Sequence, residues 1–244
     1  MRSVREGRLQ RLTLDRASRR NALDSSACHE LVSALRSANE DPLVDLVLID
    51  AEGKSFCSGM DLAEALEPDA ARRTQIHTEL FTAGYWMRKP LIASVQGGVV
   101  AGGVGLVANA HVVIAETTAW FSLPEVRIGM WPYVIWRALV DAMGERRARE
   151  LTLTGRRFPA SEARDYGLVH ILAPEGELAS CTAHWIRELS QASPGATQSG
   201  LEAAGEIRHL GFAEAALAAA ARRATRFSDP GFRSAAANLL SRGK

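Results

Sequence analysis

The 244-residue sequence predicts an α/β fold, with strands joined by crossover helices, that gives way to an all-helical C-terminal region. Three observations carry that expectation. Short β-branched apolar runs such as DLVLID and LIASV read as strands buried on both faces. Each such run leads into a glycine-centred turn, FCSGMDL at residues 56–62 and GGVVAGGVGLV at residues 97–107, with helix-like sequence beyond. From Glu177 onward the chain is alanine-rich with helical spacing.

Taken in order, residues 9–14 alternate as an opening strand. Residues 24–39 repeat Leu31, Leu35 and Ala38 at helical spacing, with Asp24 placed as the N-cap. DLVLID at residues 45–50 is the next strand and delivers the chain to the first glycine turn. Residues 70–87 predict a helix, 91–95 a second buried strand, 102–109 a helix and 112–115 a third strand. This is a βαβ rhythm, and right-handed crossovers then place the turns along one edge of the sheet. Beyond about Pro132 the pattern predicts helices at 137–143, 145–153 and 160–167, one small strand at 168–172, and further helices with Pro194 and Pro230 at their starts. The expected division is a core domain over residues 1–190 and a helical region over 191–244. The apolar faces of that region have no long strand to cover, so a neighbouring subunit is expected to cover them.

Composition excludes several function classes. The formal net charge is +1, from 29 basic and 28 acidic residues, so no global field attracts nucleic acid or an anionic membrane. No apolar run approaches the ~20 residues that span a bilayer. The opening MRSVREGRLQRL has no uninterrupted apolar stretch, so a cytoplasmic protein is expected rather than a secreted one. Cys28, Cys57 and Cys181 are scattered, without ligand spacing, and predict reduced thiols and no metal site.

The two glycine turns carry the chemistry. Glycine lets backbone approach a ligand closely, and a helix start leaves its first N–H groups unpaired at the positive end of the dipole. Two such donors meeting at one point suit the negative charge that develops on a carbonyl oxygen in acyl and enolate chemistry. A carboxylate, Glu125, follows soon after. Gly103-Val-Gly105-Leu-Val-Ala108 also fits the dinucleotide fingerprint G-x-G-x-x-A. Residues 96–101 separate it from the preceding strand, however, and Glu116 stands too close for a ribose contact, which argues against that reading. FCSGM offers Ser58 but lacks the G-x-S-x-G elbow of a serine hydrolase.

RRNALD at residues 19–24, FCSGMDL, KPLIASVQGGVVAGGVGLV at 89–107 and FSLPEVRIGM at 121–130 together resemble the crotonase superfamily, the enoyl-CoA hydratase/isomerase family. The order of these segments agrees along most of the chain, through LTGRRFPASEARDYGLV to the final helix. The resemblance implies a ββα-spiral core with a C-terminal helical trimerisation region, assembled as a homotrimer or hexamer. It also implies an acyl-CoA thioester as substrate and no separate cofactor. Carried over by position, the N–H groups of Met60 and Gly102 form the oxyanion hole and Glu125 is the acid/base. Ser58, Gly59, Asp61, Leu62, Gly103 and Pro124 line the CoA arm and the pocket, Ala22 lies near the pantetheine, and Arg20 either faces a CoA phosphate or is a solvated surface arginine. Asp61 also reads as the residue that fixes its turn.

The chain departs from the family pattern in two places. Where hydratases of the family have a second glutamate, three residues beyond the oxyanion glycine, this sequence has Gly105. Hydration of a 2-enoyl-CoA is the expected reaction, with Δ3,Δ2-enoyl-CoA isomerisation by Glu125 alone, or a catalytically weak thioester-binding protein, as alternatives. After Glu125 comes GMWPYVIWRAL, whose Trp131, Tyr133 and Trp136 either pack between helices or bring the Tyr133 hydroxyl to the acyl end. His77, on the helix before LIASV, has two readings, a packing residue or a second acid/base that titrates near neutrality.

Overall fold

The computed structural model describes residues 1–66 and 70–242. The chain forms two compact units, Met1–Gln191 and Ala192–Lys244.

The first unit holds two sheets. Strands β1 (Arg2–Glu6), β2 (Leu9–Leu14), β3 (Leu46–Ala51), β5 (Leu91–Val95), β7 (Val112–Glu116) and β10 (Ile171–Ala173) form the larger one in the order β1-β2-β3-β5-β7-β10. All its pairs are parallel except β1 with β2. Strands β4 (Ser55–Cys57), β6 (Gly98–Val100), β8 (Trp120–Ser122) and β9 (Arg157–Pro159) form the smaller sheet in that order, with only β9 antiparallel. The chain passes from one sheet to the other three times, through β3 to β4, β5 to β6 and β7 to β8, before a helix or turn returns it. This is a repeating ββα course. The helices of the unit are α1 (Ser25–Glu40), α2 (Leu62–Ala65), α3 (Ala70–Leu80), α4 (Ala83–Trp86), α5 (Gly102–Ala108), α6 (Trp136–Met143), α7 (Glu145–Thr154), α8 (Ala160–Asp165) and α9 (Leu178–Leu189).

Alternation along the strands explains why they read as unbroken apolar runs. On β3, Val47 and Ile49 join the main core beside α1, whereas Leu46 and Leu48 join a second cluster with Ile92, Ile114 and residues of α9. Both faces of the strand are therefore dry. Ser94 is the polar exception, and its hydroxyl bonds that of Thr182 on α9 at 2.8 Å. Helix α1 presents Cys28, Leu31, Val32, Leu35 and Ala38 to the core, and Asp24 caps it by accepting the Ala27 N–H at 2.8 Å.

Several boundaries differ from the sequence expectation. The helix expected over 70–87 is interrupted between Leu80 and Ala83, where the Thr82 hydroxyl turns back onto the carbonyls of Thr78 and Glu79. The strand expected at 168–172 begins only at Ile171, and the preceding Leu168 and Val169 are buried as a loop. Strand β1, wholly exposed, and the three-residue strands of the smaller sheet were not expected at all.

The second unit comprises α10 (Pro194–Ile207), α11 (Phe212–Phe227) and α12 (Pro230–Arg242). Arg222 on α11 pairs with Glu202 and Glu206 on α10. None of the described side chains of these three helices is buried, and Phe212, Leu217 and Leu240 are 94%, 73% and 75% exposed. No described helix is long and apolar enough to cross a membrane.

The smaller sheet is closed by Phe121 on β8 stacked on Phe158 of β9, with ring centroids 5.5 Å apart and both side chains fully buried. Phe121→Ala removes that contact and opens a cavity, so it is expected to cost about 3–5 kcal/mol, read as a lowered midpoint of urea unfolding.

Candidate active site

Parallel strands β4, β6 and β8 all end at one edge of the smaller sheet, and three functional segments leave the sheet there. FCSGMDL follows β4, the turn into α5 follows β6, and Leu123-Pro124-Glu125 follows β8. Topology thus gathers at one edge what is far apart in the chain.

The first turn is stitched to residues 20–23. The Ser58 N–H donates to the Arg20 carbonyl at 3.0 Å, Leu23 donates to Gly59 at 2.8 Å, and Asp61 donates to Leu23 at 2.9 Å. Leu23 and Met60 therefore form a parallel bridge in which Leu23 uses both its groups on the neighbours of Met60. The Met60 N–H faces away from that bridge. Among the described residues it has no acceptor. Asp61 is spent on holding the turn, because its carboxylate accepts the Ala63 N–H and faces Arg19 at 3.4 Å and Arg16 at 3.8 Å.

The second turn is held by an unusual backbone. Ala101 has φ 52° and ψ −119°, a region an L-residue with a side chain adopts at a cost of about 1–3 kcal/mol. Its N–H donates to Ser122 on β8 at 2.9 Å, and its carbonyl accepts from Val104 at 2.8 Å. Beyond Ala101, the Gly102 and Gly103 N–H groups stand in the first turn of α5 without acceptors among the described residues.

The two turns lie against each other. A Cβ placed on Gly59, whose φ is +87°, would stand 2.9 Å from the Val100 carbonyl oxygen and 3.2 Å from the Gly102 nitrogen. A Cβ placed on Gly102 would stand 3.8 Å from the Met60 nitrogen. The unpaired amides of residues 60 and 102 are thus neighbours in space, as an oxyanion hole requires.

Glu125 opens a short 3₁₀ turn, Glu125–Ile128. Its Oε2 is buried and has no hydrogen-bond partner among the described residues. Burial raises its pKa above the ordinary value, opposed only by a bond from its own backbone N–H. A half-buried carboxyl with a free oxygen is equipped to take up and return a proton.

The remaining expected residues fall into distinct places. Ala22 and Ser58 are half-buried, Pro124 likewise, Gly59 and Gly103 are buried, and Leu62 is exposed on the rim. Arg20 is exposed and, among the described residues, has no ion-pair partner. Tyr133 is 72% exposed, so its hydroxyl is not enclosed, whereas Trp131 and Trp136 pack on each other with ring centroids 5.0 Å apart. His77 is buried beside Phe81, at 5.9 Å between ring centroids, and burial lowers its pKa. Cys57 is a buried thiol, pushed up to about 12 by burial, and accepts the Gly59 N–H. No cluster of metal-ligating side chains exists among the described residues.

Two residues the sequence reading did not single out shape the site. A Cβ on Gly105 would lie 2.2 Å from Ile135 Cγ2 and 3.1 Å from Phe81 Cδ1, so Ile135 and Phe81 fill the space beside that glycine. A glycine inside a helix was the available signal, since it marks close packing. The strain at Ala101 had no signal, because alanine does not advertise a positive φ.

Residues 5–211 match the enoyl-CoA hydratase/isomerase family. The chain is 34% identical to the enoyl-CoA hydratase ACTT6 of Alternaria alternata over 77% of its own length, an alignment that spans 63% of the Alternaria protein. It is 32% identical to the mevalonyl-coenzyme A hydratase sidH of Aspergillus fumigatus, over 84% of this chain and 79% of that one. Among solved structures, the enoyl-CoA hydratase of Mycobacterium smegmatis superposes with a TM-score of 0.94 at 26% identity, covering 98% of this chain and 95% of that one. With two glycine turns, their amides and a glutamate at one sheet edge, the chain belongs to the enoyl-CoA hydratase/isomerase family of the crotonase superfamily.

Proposed function

We propose that the protein is an acyl-CoA enzyme that holds a thioester enolate at the Met60 and Gly102 amides and moves a proton with Glu125, the reaction being Δ3,Δ2-enoyl-CoA isomerisation. The observation that carries this reading is the buried Glu125 Oε2, without a hydrogen-bond partner among the described residues, at the edge where those amides likewise find no acceptor among them. Glu125 as carboxylate removes a proton from C2 of a 3-enoyl thioester. The electron pair delocalises onto the thioester oxygen, where two N–H donors and the start of α5 stabilise it; one such donor typically contributes 10²–10³ in kcat. The protonated Glu125 then returns its proton to C4, leaving the double bond between C2 and C3.

Hydration of a 2-enoyl-CoA is the second reading, favoured by the hydratase names of relatives at 34% and 32% identity. It is placed second because position 105 offers no carboxylate to hold a water and Ile135 fills the adjoining space. In either reaction Ala22, Ser58, Gly59, Leu62, Gly103 and Pro124 are proposed to line the thioester arm. Arg20, exposed and without an ion-pair partner among the described residues, is proposed to meet a CoA phosphate. The exposed apolar side chains of α10–α12 support assembly as a homotrimer or hexamer.

Glu125→Gln tests the assignment. Turnover of hex-3-enoyl-CoA in steady-state kinetics is expected to fall ~10²-fold or more with KM little changed. Activity within a few-fold of wild type would remove Glu125 from the reaction.

The same substitution has a stability consequence. Because burial raises the Glu125 pKa above its ordinary 4.5, the folded protein binds the carboxyl proton more tightly than the unfolded chain does. That preference favours folding below the unfolded-state value and is lost as pH rises through the raised one. Gln is neutral throughout, so Glu125→Gln is expected to melt above wild type near about pH 8, with the gap closing toward about pH 4, as thermal scans across that range would show.

A further inference from the structure

Ile135 is 2% exposed and ends the 3₁₀ turn Tyr133–Ile135, from which the chain enters α6. Its neighbours fix it there. Pro132 before the turn is buried, and the Trp131 and Trp136 rings, which flank the turn in sequence, pack on each other. A Cβ on Gly105 would meet both Ile135 Cγ2, at 2.2 Å, and Ile135 Cβ, at 2.9 Å. The second distance matters more. A methyl tip can rotate away, whereas a Cβ moves only with the backbone that carries it. Phe81 closes the same space, with its ring 3.1 Å from the Gly105 Cβ position and 3.0 Å from that of Gly102. The His77 ring lies 5.9 Å from that of Phe81 between centroids.

We propose that Ile135 is the residue that decides between proton transfer and water addition in this site. It does so by filling, with an aliphatic side chain, the space that a water-holding group on position 105 would need. A bound water requires two to four polar partners, and neither Ile135 nor Phe81 supplies one. The wall they form is apolar and excludes the nucleophile while leaving Glu125 to act on carbon. The same wall selects for an acyl chain that is apolar beside α5, because a hydroxyl or carboxylate there would be desolvated without a partner. The proposal rests on the Glu125 reading above and assigns that site its reaction preference.

The test compares wild type, Ile135→Ala, Gly105→Glu, and the double variant carrying both changes. For each, isomerisation of hex-3-enoyl-CoA, hydration of hex-2-enoyl-CoA and the thermal midpoint are measured. Wild type is expected to isomerise faster than it hydrates. Gly105→Glu alone is expected to melt below the double variant, because Ile135 leaves its side chain no room. In the double variant the ratio of hydration to isomerisation is expected to rise ~10²-fold, the scale of a positioned general acid–base group. A folded double variant whose ratio stays within a few-fold of wild type would overturn the proposal. Should the double variant fail to fold, Ile135→Ala alone decides: opening the wall raises the ratio if Ile135 excludes water, and an unchanged ratio overturns the idea. Wild type hydrating faster than it isomerises would also overturn it. Failure of the underlying reading shows elsewhere, as Glu125→Gln turning over like wild type.

Discussion

The close contact of two backbone segments, residues 57–60 against residues 100–103, is the constraint on which the site depends. At Gly59 there is no room for a side chain, with the Val100 oxygen and the Ala101 Cβ both 2.9 Å from where a Cβ would stand. The contact is held from both sides. Leu23 ties down the residues flanking Met60, and Ser122 ties down Ala101 in its strained conformation. With those groups committed, the amides of Met60 and Gly102 have no acceptor within the described protein. They are donors prepared in advance, so little reorganisation is needed when charge develops on an oxygen beside them. The strained backbone of Ala101, at a cost of about 1–3 kcal/mol, joins β6 to the first turn of α5 at the point where the Gly102 N–H is left without an acceptor among the described residues.

Around this contact the fold is a device for convergence. Residues 58, 102 and 125 are separated by more than a helix length in sequence, yet each follows a strand of the same small parallel sheet. Parallel pairing makes all three strands end at one edge, and Phe56, Cys57, Val99 and Phe121 of the smaller sheet share one core with Val47 and Ile49 of the larger. The strands of the smaller sheet are only three residues long, too short to be stable by pairing alone, so packing such as Phe121 on Phe158 carries them.

What could be read from the sequence follows the same physics. Long buried strands announce themselves, and β2, β3, β5 and β7 fall within a residue of their expected bounds, β3, β5 and β7 through unbroken apolar runs and β2 through alternation. Asp24 was legible as a cap because a short acidic side chain before an apolar helical face has one common use. The glycine turns and Glu125 were legible as a set. Strand β1 was not, since it is exposed on every residue and has no apolar period to detect. The smaller sheet was missed because three residues are too few to show alternation. Ile135 was missed for a different reason: that an isoleucine packs on a glycine 30 positions earlier is a tertiary fact, and GMWPYVI contains nothing local that signals it.

The environment of Glu125 and that of Gly105 are linked through charge. Two carboxylates sharing one pocket cannot both ionise easily, so such a pair titrates in coupled steps and can offer an acid and a base at once. Here burial alone raises the Glu125 pKa, and no neighbouring charge contributes. A single, uncoupled carboxyl holds one proton at a time. It can be base and then acid in succession, which is what moving a double bond along a thioester asks of it. Adding water across that bond is eased by a second group that positions the nucleophile while the first delivers the proton. Replacing the second carboxyl with a glycine alone would leave a void beside α5, which is costly in a close-packed interior. Ile135 fills that void, so the missing carboxylate and the aliphatic plug amount to one change in the chemistry of the wall.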